Sequence, residues 1–466
     1  GLIASTTIIL VAFLSVAGYV LWANSQGLAG FPLDDAWIHQ TYARNLAETG
    51  QLAYLPGQPS AGSTSPAWSF LLSIGYLLGL DFRVWAYLLG ALSLAVTSWL
   101  AYRLLLRLPP LRQLSGQASR PAAALLAGLF CAVEWHLVWA AASGMETILF
   151  TALTLALVEY FSSQVAVRQS PEGPDSVQKE QAIVSALGIG LLGGVLVLTR
   201  PEGLVLAGMV ILGLVIFPRP TDRNQLFSRL MAAGLSLLAL AGVLAPYLAF
   251  NLRASGAIFP NTFYAKQIEY LSDWSLPVRF WRVLTPTLAG AQVLLLPGFG
   301  YAAYLLIRRR EWPALLPLAW WLAILSVYAL RLPVNYQHGR YVIPTIPWVV
   351  ISGTWGTALA LRPRSPHLIV RVLSRGTPVA IALLAVLFWG RGAVAYSDDV
   401  GFIEGEMMVM ARWLGENTPP GTIIAVHDIG AVGYLTDRPL LDLAGLITPE
   451  VIPIMTDAEK LADWMI

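Results

Sequence analysis

Charged residues are scarce in this sequence of 466 residues, and cysteine is almost absent. Only 12% of the residues are charged, about half the share usual in a soluble domain, whereas 56% are hydrophobic. Such an apolar excess has to face lipid, which excludes a soluble enzyme. The net charge of +2 gives no indication of a nucleic-acid partner. The single cysteine, Cys131, excludes an intrachain disulfide.

Long apolar runs take the place of charge. A helix needs about 20 apolar residues to cross the hydrocarbon core of a membrane. The first run lacks the charged start and the cleavage site of a signal peptide, so we expect a retained span. The missing initiator Met indicates that a few cytoplasmic residues precede Gly1. The eleven expected spans are approximately 1 to 24, 84 to 102, 121 to 142, 145 to 161, 182 to 199, 203 to 217, 230 to 250, 283 to 307, 313 to 330, 341 to 361 and 377 to 395.

The apolar run from Pro66 to Leu80 is too short to count as a span. At 1.5 Å per residue, about 15 residues cover roughly 22 Å of a core of about 30 Å. Counting this run would also place the basic loop 103 to 120 on the same side as the acidic segment 34 to 48. We therefore expect a helix that lies in the outer interface of the membrane.

Basic residues gather on one side of the expected spans. That side is cytoplasmic by the positive-inside rule, which makes the N-terminus cytoplasmic and the C-terminus external in a multi-pass membrane protein. The other face and the spans together hold 13 basic and 22 acidic residues. The 16 basic and five acidic residues of the cytoplasmic side lie in the loops 103 to 120, 162 to 181, 218 to 229, 308 to 311 and 362 to 376.

The chain is expected to have two parts. Residues 1–395 form an all-α polytopic membrane domain of about 11 transmembrane helices, and its first outer loop, 25–83, carries juxtamembrane helices and candidate catalytic acids. Residues 396–466 form a small external α/β module, which stops abruptly at Ile466 as a truncated module would. Its expected elements are an amphipathic helix at 402 to 414 and strands at 422 to 426 and 439 to 443.

Two adjacent carboxylates, Asp34 and Asp35, follow the first span at the expected outer surface. Beside a region of low dielectric constant, such a pair can hold a hard cation, or one member with a raised pKa can act as a base. Acids at a helix start are also favourable by themselves, so a structural role stays open.

Arg200, Lys266, His338 and Arg340 are expected at the outer ends of spans. Such cations suit a substrate with a phosphate at the interface, although each long side chain could simply reach the interface for its own solvation. Glu146 lies at an outer turn, where it is either a site residue or a helix-start acid.

Short motifs along most of the chain resemble the GT-C superfamily of integral-membrane glycosyltransferases. Together they are closest to the branch that contains the mycobacterial terminal arabinofuranosyltransferase. The motifs are Phe31-Pro-Leu-Asp-Asp-Ala-Trp-Ile-His39, Tyr42-Ala-Arg-Asn45, Tyr54-Leu-Pro-Gly57, Gly62-Ser-Thr-Ser-Pro-Ala-Trp68, Ser143-Gly-Met-Glu146, Thr199-Arg-Pro-Glu-Gly203, Pro260-Asn-Thr-Phe-Tyr-Ala-Lys266, Gly339-Arg-Tyr341, Asp428-Ile-Gly-Ala-Val-Gly-Tyr434 and Leu441-Asp-Leu-Ala-Gly-Leu446.

The resemblance implies transfer of a sugar from a polyprenyl-phosphate donor to a hydroxyl of a glycan, protein or lipid acceptor, on the outer face of a prokaryotic plasma membrane. It implies that Asp34 or Asp35 is the general base or holds a divalent cation, Mg²⁺ or Mn²⁺, and that Lys266 and Arg340 hold the donor phosphate. Single displacement predicts inversion at the anomeric carbon. The other candidate substrate-binding residues are His39, Arg44, Glu146, Arg200, Asn261, Tyr264, His338, Tyr341 and Asp428.

A transporter or lipid-carrier flippase is the alternative, because Glu134 and Glu159 lie within expected spans and Gly and Pro are frequent. Transporters usually have paired repeats with binding groups near the midplane. Here the polar groups gather at one surface and no repeat is visible. A non-enzymatic scaffold would leave the convergence of outer acids and cations without a reason.

Overall fold

The computed structural model describes residues 1–108, 119–169, 175–270, 273–361 and 365–465. Parts of three basic loops, at 109–118, 170–174 and 362–364, lie outside these residues. The chain is mainly helical, which confirms the expected all-α membrane class. The helices of the first half are α1 (Leu2–Ser25), α2 (Asp34–Thr49), α3 (Pro66–Leu77), α4 (Phe82–Arg107), α5 (Ser119–Val133), α6 (Trp135–Ala142), α7 (Thr147–Gln169), α8 (Asp175–Thr199) and α9 (Gly203–Ile216).

The second half adds ten helices and two of the four strands found among the described residues. Strands β1 (Ala53–Leu55) and β2 (Gln58–Pro59) form an antiparallel pair between α2 and α3. The remaining elements are α10 (Arg223–Ser255), α11 (Asn261–Glu269), α12 (Leu276–Leu284), α13 (Leu296–Arg308), α14 (Leu316–Arg331), α15 (Ile346–Ala360), α16 (Leu368–Phe402), α17 (Met408–Asn417), β3 (Ile424–Val426), α18 (Ile429–Leu435), β4 (Leu440–Asp442) and α19 (Ala458–Met465).

Nine helical segments among the described residues are long and apolar enough to cross a membrane, or ten if the bent pair α5 and α6 is one span. The expected number was eleven. The difference includes α9, whose 14 residues cover about 21 Å at 1.5 Å per residue. Because the residues after α8 and those after α10 line the same cavity, α9 still returns the chain across the bundle.

The span expected at 121 to 142 is broken at Glu134. This residue has an extended backbone, and its carboxylate accepts a hydrogen bond from the backbone N–H of Leu137, which caps the start of α6. The two halves therefore meet at an angle of 48°. The imidazole of His136 also contacts Glu134, with Nδ1 2.7 Å from Oε1. The intramembrane carboxylate thus serves a helix start.

The segment between α1 and α4 has the short helices expected from the sequence. Helix α2 begins at two acids, which interact favourably with the positive end of the helix dipole, and ends at Gly50 in the left-handed conformation. Helix α3 has Pro66 in its first turn and spans only 12 residues. The indole of Trp68 donates to the carbonyl of Gly144 at 2.9 Å, which fixes α3 against the bundle.

The last spanning helix continues into the C-terminal residues. Helix α16 passes the expected boundary at 395, and a π-helical turn at Ile403–Met407 joins it to α17. The separate amphipathic helix expected at 402 to 414 is thus an extension of α16. Strands β3 and β4 lie near their expected positions and pair in parallel, Ile424 with Leu440.

Candidate functional site

A cavity of about 360 Å³ lies where three parts of the chain meet: the segment between α1 and α4, helix α11, and the residues after α14. The charged side chains around Asp35 form what we call its polar end, and residues such as Leu204, Val205 and Val327, near the ends of α9 and α14, form an apolar wall. Seven of the predicted site residues line it: Asp35, His39, Glu146, Arg200, Lys266, Arg340 and Tyr341.

Asp35 forms ion pairs with two cations at the polar end. Its Oδ2 contacts the guanidinium of Arg340 directly and lies 3.9 Å from Nζ of Lys266. Burial by itself raises the pKa of Asp35, but Arg340 and Lys266 outweigh it and hold that pKa well below its usual range. Three distant segments supply these groups, namely the first turn of α2, the middle of α11 and the turn before α15.

Tyr341 organises the cations around Asp35. Its hydroxyl accepts hydrogen bonds from Lys266 at 2.8 Å and from Arg340 at 3.0 Å. The same ring lies 4.9 Å from the guanidinium carbon of Arg340, 5.2 Å from that of Arg200 and 5.5 Å from Nζ of Lys266. Three cations therefore surround one aromatic ring at the polar end of the cavity.

A second charged cluster surrounds Arg200 in the same cavity. Nε of Arg200 is 2.7 Å from Glu202 and 3.7 Å from Glu146, and Nε2 of His39 lies 3.3 Å from Glu146. Burial acts to raise the pKa of Glu146, but the hydrogen bond with His39 and the charge of Arg200 lower it to about 2. Glu146 therefore stays ionised opposite Arg200.

Two buried guanidinium nitrogens at this cavity have no partner within the part of the chain that the structure describes. They are Nη1 of Arg200 and Nη1 of Arg340, and both residues are about 95% buried. Buried donors are almost always satisfied in native proteins. Two unsatisfied N–H groups at one cavity indicate that a ligand with acceptor oxygens completes the site.

Asp34 faces away from the cavity. Its Oδ2 and Oδ1 accept hydrogen bonds from the backbone N–H groups of Gly430 and Ala431, each at 2.7 Å, in the first turn of α18. A Cβ atom at position 430 would collide with Asp34, so glycine allows the close approach. Burial raises the pKa of Asp34 to about 7, although the two backbone hydrogen bonds act to lower it.

Arg44 also binds α18. Its Nη1 donates to the carbonyl of Tyr434 at 3.1 Å, and its guanidinium lies 4.6 Å from the ring of that tyrosine. From β1, the hydroxyl of Tyr54 donates to the carbonyl of Ile429 at 2.5 Å. The motif at 428 to 434 is therefore a contact between the C-terminal module and the segment that holds Asp35.

Four other predicted site residues do not line the cavity. Asn261 donates to the carbonyl of Leu446 at 2.9 Å. Tyr264 is half-exposed on α11. Asp428 is exposed beside His427, 3.2 Å away. His338 pairs with Asp399 of α16 at 2.8 Å, between the rings of Trp135 and Trp139.

Sequence reasoning missed several contacts of the site. Glu202 belongs to a quoted motif and lies two positions after Arg200, which was the available signal. The hydroxyl of Tyr328 bonds both residues, but its position inside an apolar run gave no such signal. The pairing of His338 with Asp399 was likewise invisible.

The donor groups near Asp35 do not match a cage for a divalent cation. Such ions take several oxygen ligands, whereas Asp35 is paired with two cations and Asp34 is used by α18. Among the described residues, no group of three or more His, Cys, Asp or Glu side chains could hold a metal ion.

The carboxylates that favoured a transporter have structural partners. Glu134 caps α6, and Glu159 pairs with Arg103 at 2.9 Å and Arg107 at 2.8 Å. Both carboxylates are therefore engaged in contacts within or between helices.

Comparisons with known proteins support the fold. A family model described as a domain of unknown function, DUF8728, matches residues 393–465. No curated protein matches the sequence. The apo crystal structure of an oligosaccharyltransferase from Archaeoglobus fulgidus is similar with a TM-score of 0.65 and 14% identity. The match covers 94% of this chain but only 64% of the archaeal one.

Two further structures show the same similarity. ArnT from Cupriavidus metallidurans bound to undecaprenyl phosphate has a TM-score of 0.62 and 16% identity, over 97% of this chain and 88% of that one. The archaeal oligosaccharyltransferase AglB from Archaeoglobus fulgidus, in complex with an inhibitory peptide and a dolichol-phosphate, has a TM-score of 0.59 and 13% identity, over 94% and 64%. These similarities show that the chain shares the overall fold of these membrane proteins, in agreement with the expected fold class.

Proposed function

We propose that this protein transfers a sugar from a polyprenyl-phosphate donor to an acceptor hydroxyl, with inversion at the anomeric carbon. The observation that carries the proposal is the contact of Asp35 with Arg340 and Lys266 at the polar end of a cavity whose other wall is apolar. An amphipathic donor fits such a cavity with its phosphate at the cations and its first prenyl units against the apolar wall.

The cations are suited to a leaving phosphate. Arg340 offers a planar pair of donors and Lys266 a compact charge, which together stabilise the phosphate anion as the bond to the sugar breaks. The unpartnered Nη1 of Arg340 is available for one phosphate oxygen. The complexes of ArnT with undecaprenyl phosphate and of AglB with dolichol-phosphate, in proteins of the same fold, support this assignment.

Asp35 is the base. Its low pKa in the resting site makes it a weak base, because Arg340 and Lys266 neutralise its charge. A phosphate that draws these two cations toward itself weakens that ion pairing and raises the basicity of Asp35. Donor binding thereby activates the base.

Transfer is a single displacement. The acceptor oxygen attacks the anomeric carbon, its proton passes to the carboxylate of Asp35, and the carbon–oxygen bond to the phosphate breaks on the opposite side. The polyprenyl phosphate leaves as an anion held by Arg340 and Lys266. Protonated Asp35 then returns its proton to solvent.

The sugar, the orientation in the membrane and the metal requirement belong to the same proposal. The motif series places an arabinofuranosyl donor first in the panel to be tested. The positive-inside arrangement places the site on the external face of a prokaryotic plasma membrane. To test whether the donor phosphate carries a divalent cation, the rate of transfer in EDTA is compared with the rate after addition of Mg²⁺ or Mn²⁺. The reason for this experiment is a crystal structure of the archaeal oligosaccharyltransferase in complex with zinc and sulfate.

The test uses the purified full chain in lipid nanodiscs with a panel of polyprenyl-phosphate sugars and a neutral oligosaccharide acceptor. The expected result is a product that carries one added sugar, formed together with free polyprenyl phosphate. At a donor concentration below the KM, Arg340→Gln should reduce this activity about tenfold or more, whereas Arg253→Gln, a change at an exposed arginine away from the cavity, should keep it. Absence of transfer with every donor, in a protein that remains folded, would contradict the proposal.

A further inference from the structure

A second cleft lies beside the cavity and has no part in the proposed chemistry. It has a volume of about 440 Å³, and its lining includes Glu269, Tyr270, Asp273, Trp274, Asn335 and Tyr336. We call it the aromatic cleft.

The aromatic cleft and the cavity share two walls. On α11, Lys266 and Gln267 line the cavity while Glu269 lines the cleft, one turn further on. The end of α14 and the residues after it do the same, with Arg331 in the cavity and Asn335 in the cleft. Nη1 of Arg331 donates to Oε1 of Gln267 at 3.2 Å and joins the two walls. The cleft therefore lies next to the cavity along both of these segments.

A hydroxyl contact connects the two spaces at their boundary. The oxygen of Tyr336, in the cleft, lies 3.3 Å from the hydroxyl oxygen of Tyr341, which binds Lys266 and Arg340. The cleft and the cavity are therefore adjacent, and the pair of tyrosines lies at their boundary beside Lys266 and Arg340.

Flat aromatic faces dominate the cleft. The rings of Tyr270 and Tyr336 are 5.5 Å apart, and Trp274 is 44% exposed. The guanidinium of Arg282 lies 4.0 Å from the Trp274 ring and holds its orientation. Fixed aromatic faces offer apolar area with little loss of conformational entropy on binding.

Polar groups stand at the edges of these rings. Glu269 and Asp273 are acceptors only, whereas the guanidinium of Arg282 donates to Oδ1 of Asn335 at 3.2 Å and so turns the amide N–H₂ of that residue to the other side. Two carboxylates against one guanidinium give the cleft a net negative charge, which disfavours an anionic ligand. A neutral polyol with hydroxyls on its rim and an apolar C–H face matches this set of groups.

We propose that the aromatic cleft binds the carbohydrate chain of a glycan acceptor and presents its terminal hydroxyl to Asp35. The proposal rests on the proposed function, because it names the acceptor class of the same reaction. A peptide or lipid acceptor is the outcome that would overturn it.

Binding is tested separately from catalysis. Saturation-transfer NMR of the protein in nanodiscs, with a linear neutral hexasaccharide as probe, should show contact to the sugar protons. Trp274→Ala should weaken binding of the hexasaccharide at least about tenfold, the loss typical of truncating a central aromatic contact. The matched control is Trp281→Ala, which removes an equally large, exposed indole from α12 outside the cleft and should leave binding unchanged.

Kinetics distinguish this proposal from the proposed function. In the transfer assay, Trp274→Ala and Asp273→Asn should raise the KM for a hexasaccharide acceptor at least about tenfold and leave the KM for the donor unchanged. Asp398→Asn, at an exposed acid of α16, is the control for charge. If no donor supports transfer but hexasaccharide binding depends on Trp274, only the proposed function fails. Equal behaviour of Trp274→Ala and Trp281→Ala, or loss of peptide but not of glycan binding in Trp274→Ala, would overturn the acceptor assignment.

Discussion

Asp34 and Asp35 are neighbours in the chain, but their carboxylates face different partners. Asp34 binds the backbone at the start of α18, and Asp35 binds Arg340 and Lys266 in the cavity. Successive residues on a helix are about 100° apart around its axis, so one acid turns to the C-terminal module while the other turns to the site. The two residues therefore have different expected roles.

We expect Asp34→Asn to act on stability more than on chemistry. An asparagine can accept only one of the two N–H groups with its oxygen and turns an amide N–H₂ toward the other. The free energy of unfolding should fall by about 1–3 kcal/mol, the cost of a buried donor left without a partner. Thermal unfolding in nanodiscs measures this change, with the exposed Asp428→Asn as control. A loss of transfer in Asp34→Asn as large as that in Asp35→Asn, at unchanged stability, would contradict the assignment.

The contact of Asp34 with α18 should depend on pH. The fold raises the pKa of Asp34 from 3.8 to about 7, mainly through burial, so the folded state holds the proton more tightly than the unfolded state. The contribution of Asp34 to stability is therefore complete below about pH 4 and is lost as the pH rises through 7. The difference in unfolding free energy between the wild type and Asp34→Asn should be larger at pH 5 than at pH 8. A difference that grows with pH would show that the backbone hydrogen bonds outweigh burial.

Arg340 and Lys266 should govern donor affinity. Arg340→Gln and Lys266→Met each remove one positive charge from the proposed phosphate site while keeping most of the side-chain volume. The KM for the donor should rise about tenfold or more in each variant, because hydrogen bonds to a charged group contribute about 1.5–3 kcal/mol. Steady-state kinetics with varied donor at saturating acceptor measures this effect. An unchanged donor KM in both variants would show that the donor phosphate does not bind at this end of the cavity.

His338 should position Arg340 rather than touch the substrate. Gln337 and His338 both have a positive φ, 52° and 56°, which non-glycine residues adopt at a cost of about 1–3 kcal/mol each. The hydrogen bond between His338 and Asp399 holds this turn two residues before Arg340.

We expect His338→Ala to raise the donor KM about tenfold, with kcat at saturating donor nearly unchanged. His338→Gln keeps a donor for Asp399 and should restore most of the donor affinity. An unchanged donor KM in His338→Ala would mean that the turn holds Arg340 without this hydrogen bond.

Much of this arrangement could be predicted from the sequence. The scarcity of charge indicated a membrane protein, and the few polar motifs at one expected surface pointed to Asp35, Lys266 and Arg340, which the structure brings together. Apolar runs and turn residues also placed α2, α3 and the two C-terminal strands close to their observed positions. Local pattern is sufficient for such features.

Other features depend on contacts that no local pattern encodes. Which of the two adjacent acids enters the cavity is decided by α18, whose Gly430 lies 396 positions after Asp34. The expected span at 121 to 142 breaks where Glu134 caps α6. Helix α9 is shorter than a typical span. Both features lie within continuous apolar sequence, which gives no sign of them. Arg44, Asn261 and His338 belong to site-like motifs but serve contacts between segments.

The most direct test of the account is Asp35→Asn, with transfer and donor binding measured separately. The carboxylate is the proposed base and also competes with the donor phosphate for Arg340 and Lys266. Single-turnover transfer should therefore fall by about 10²–10⁴, the usual contribution of a general base. Direct binding of the polyprenyl-phosphate donor should stay equal or become tighter. Transfer within a few-fold of the wild type, or a loss of donor binding that fully accounts for the lost activity, would contradict the central claim.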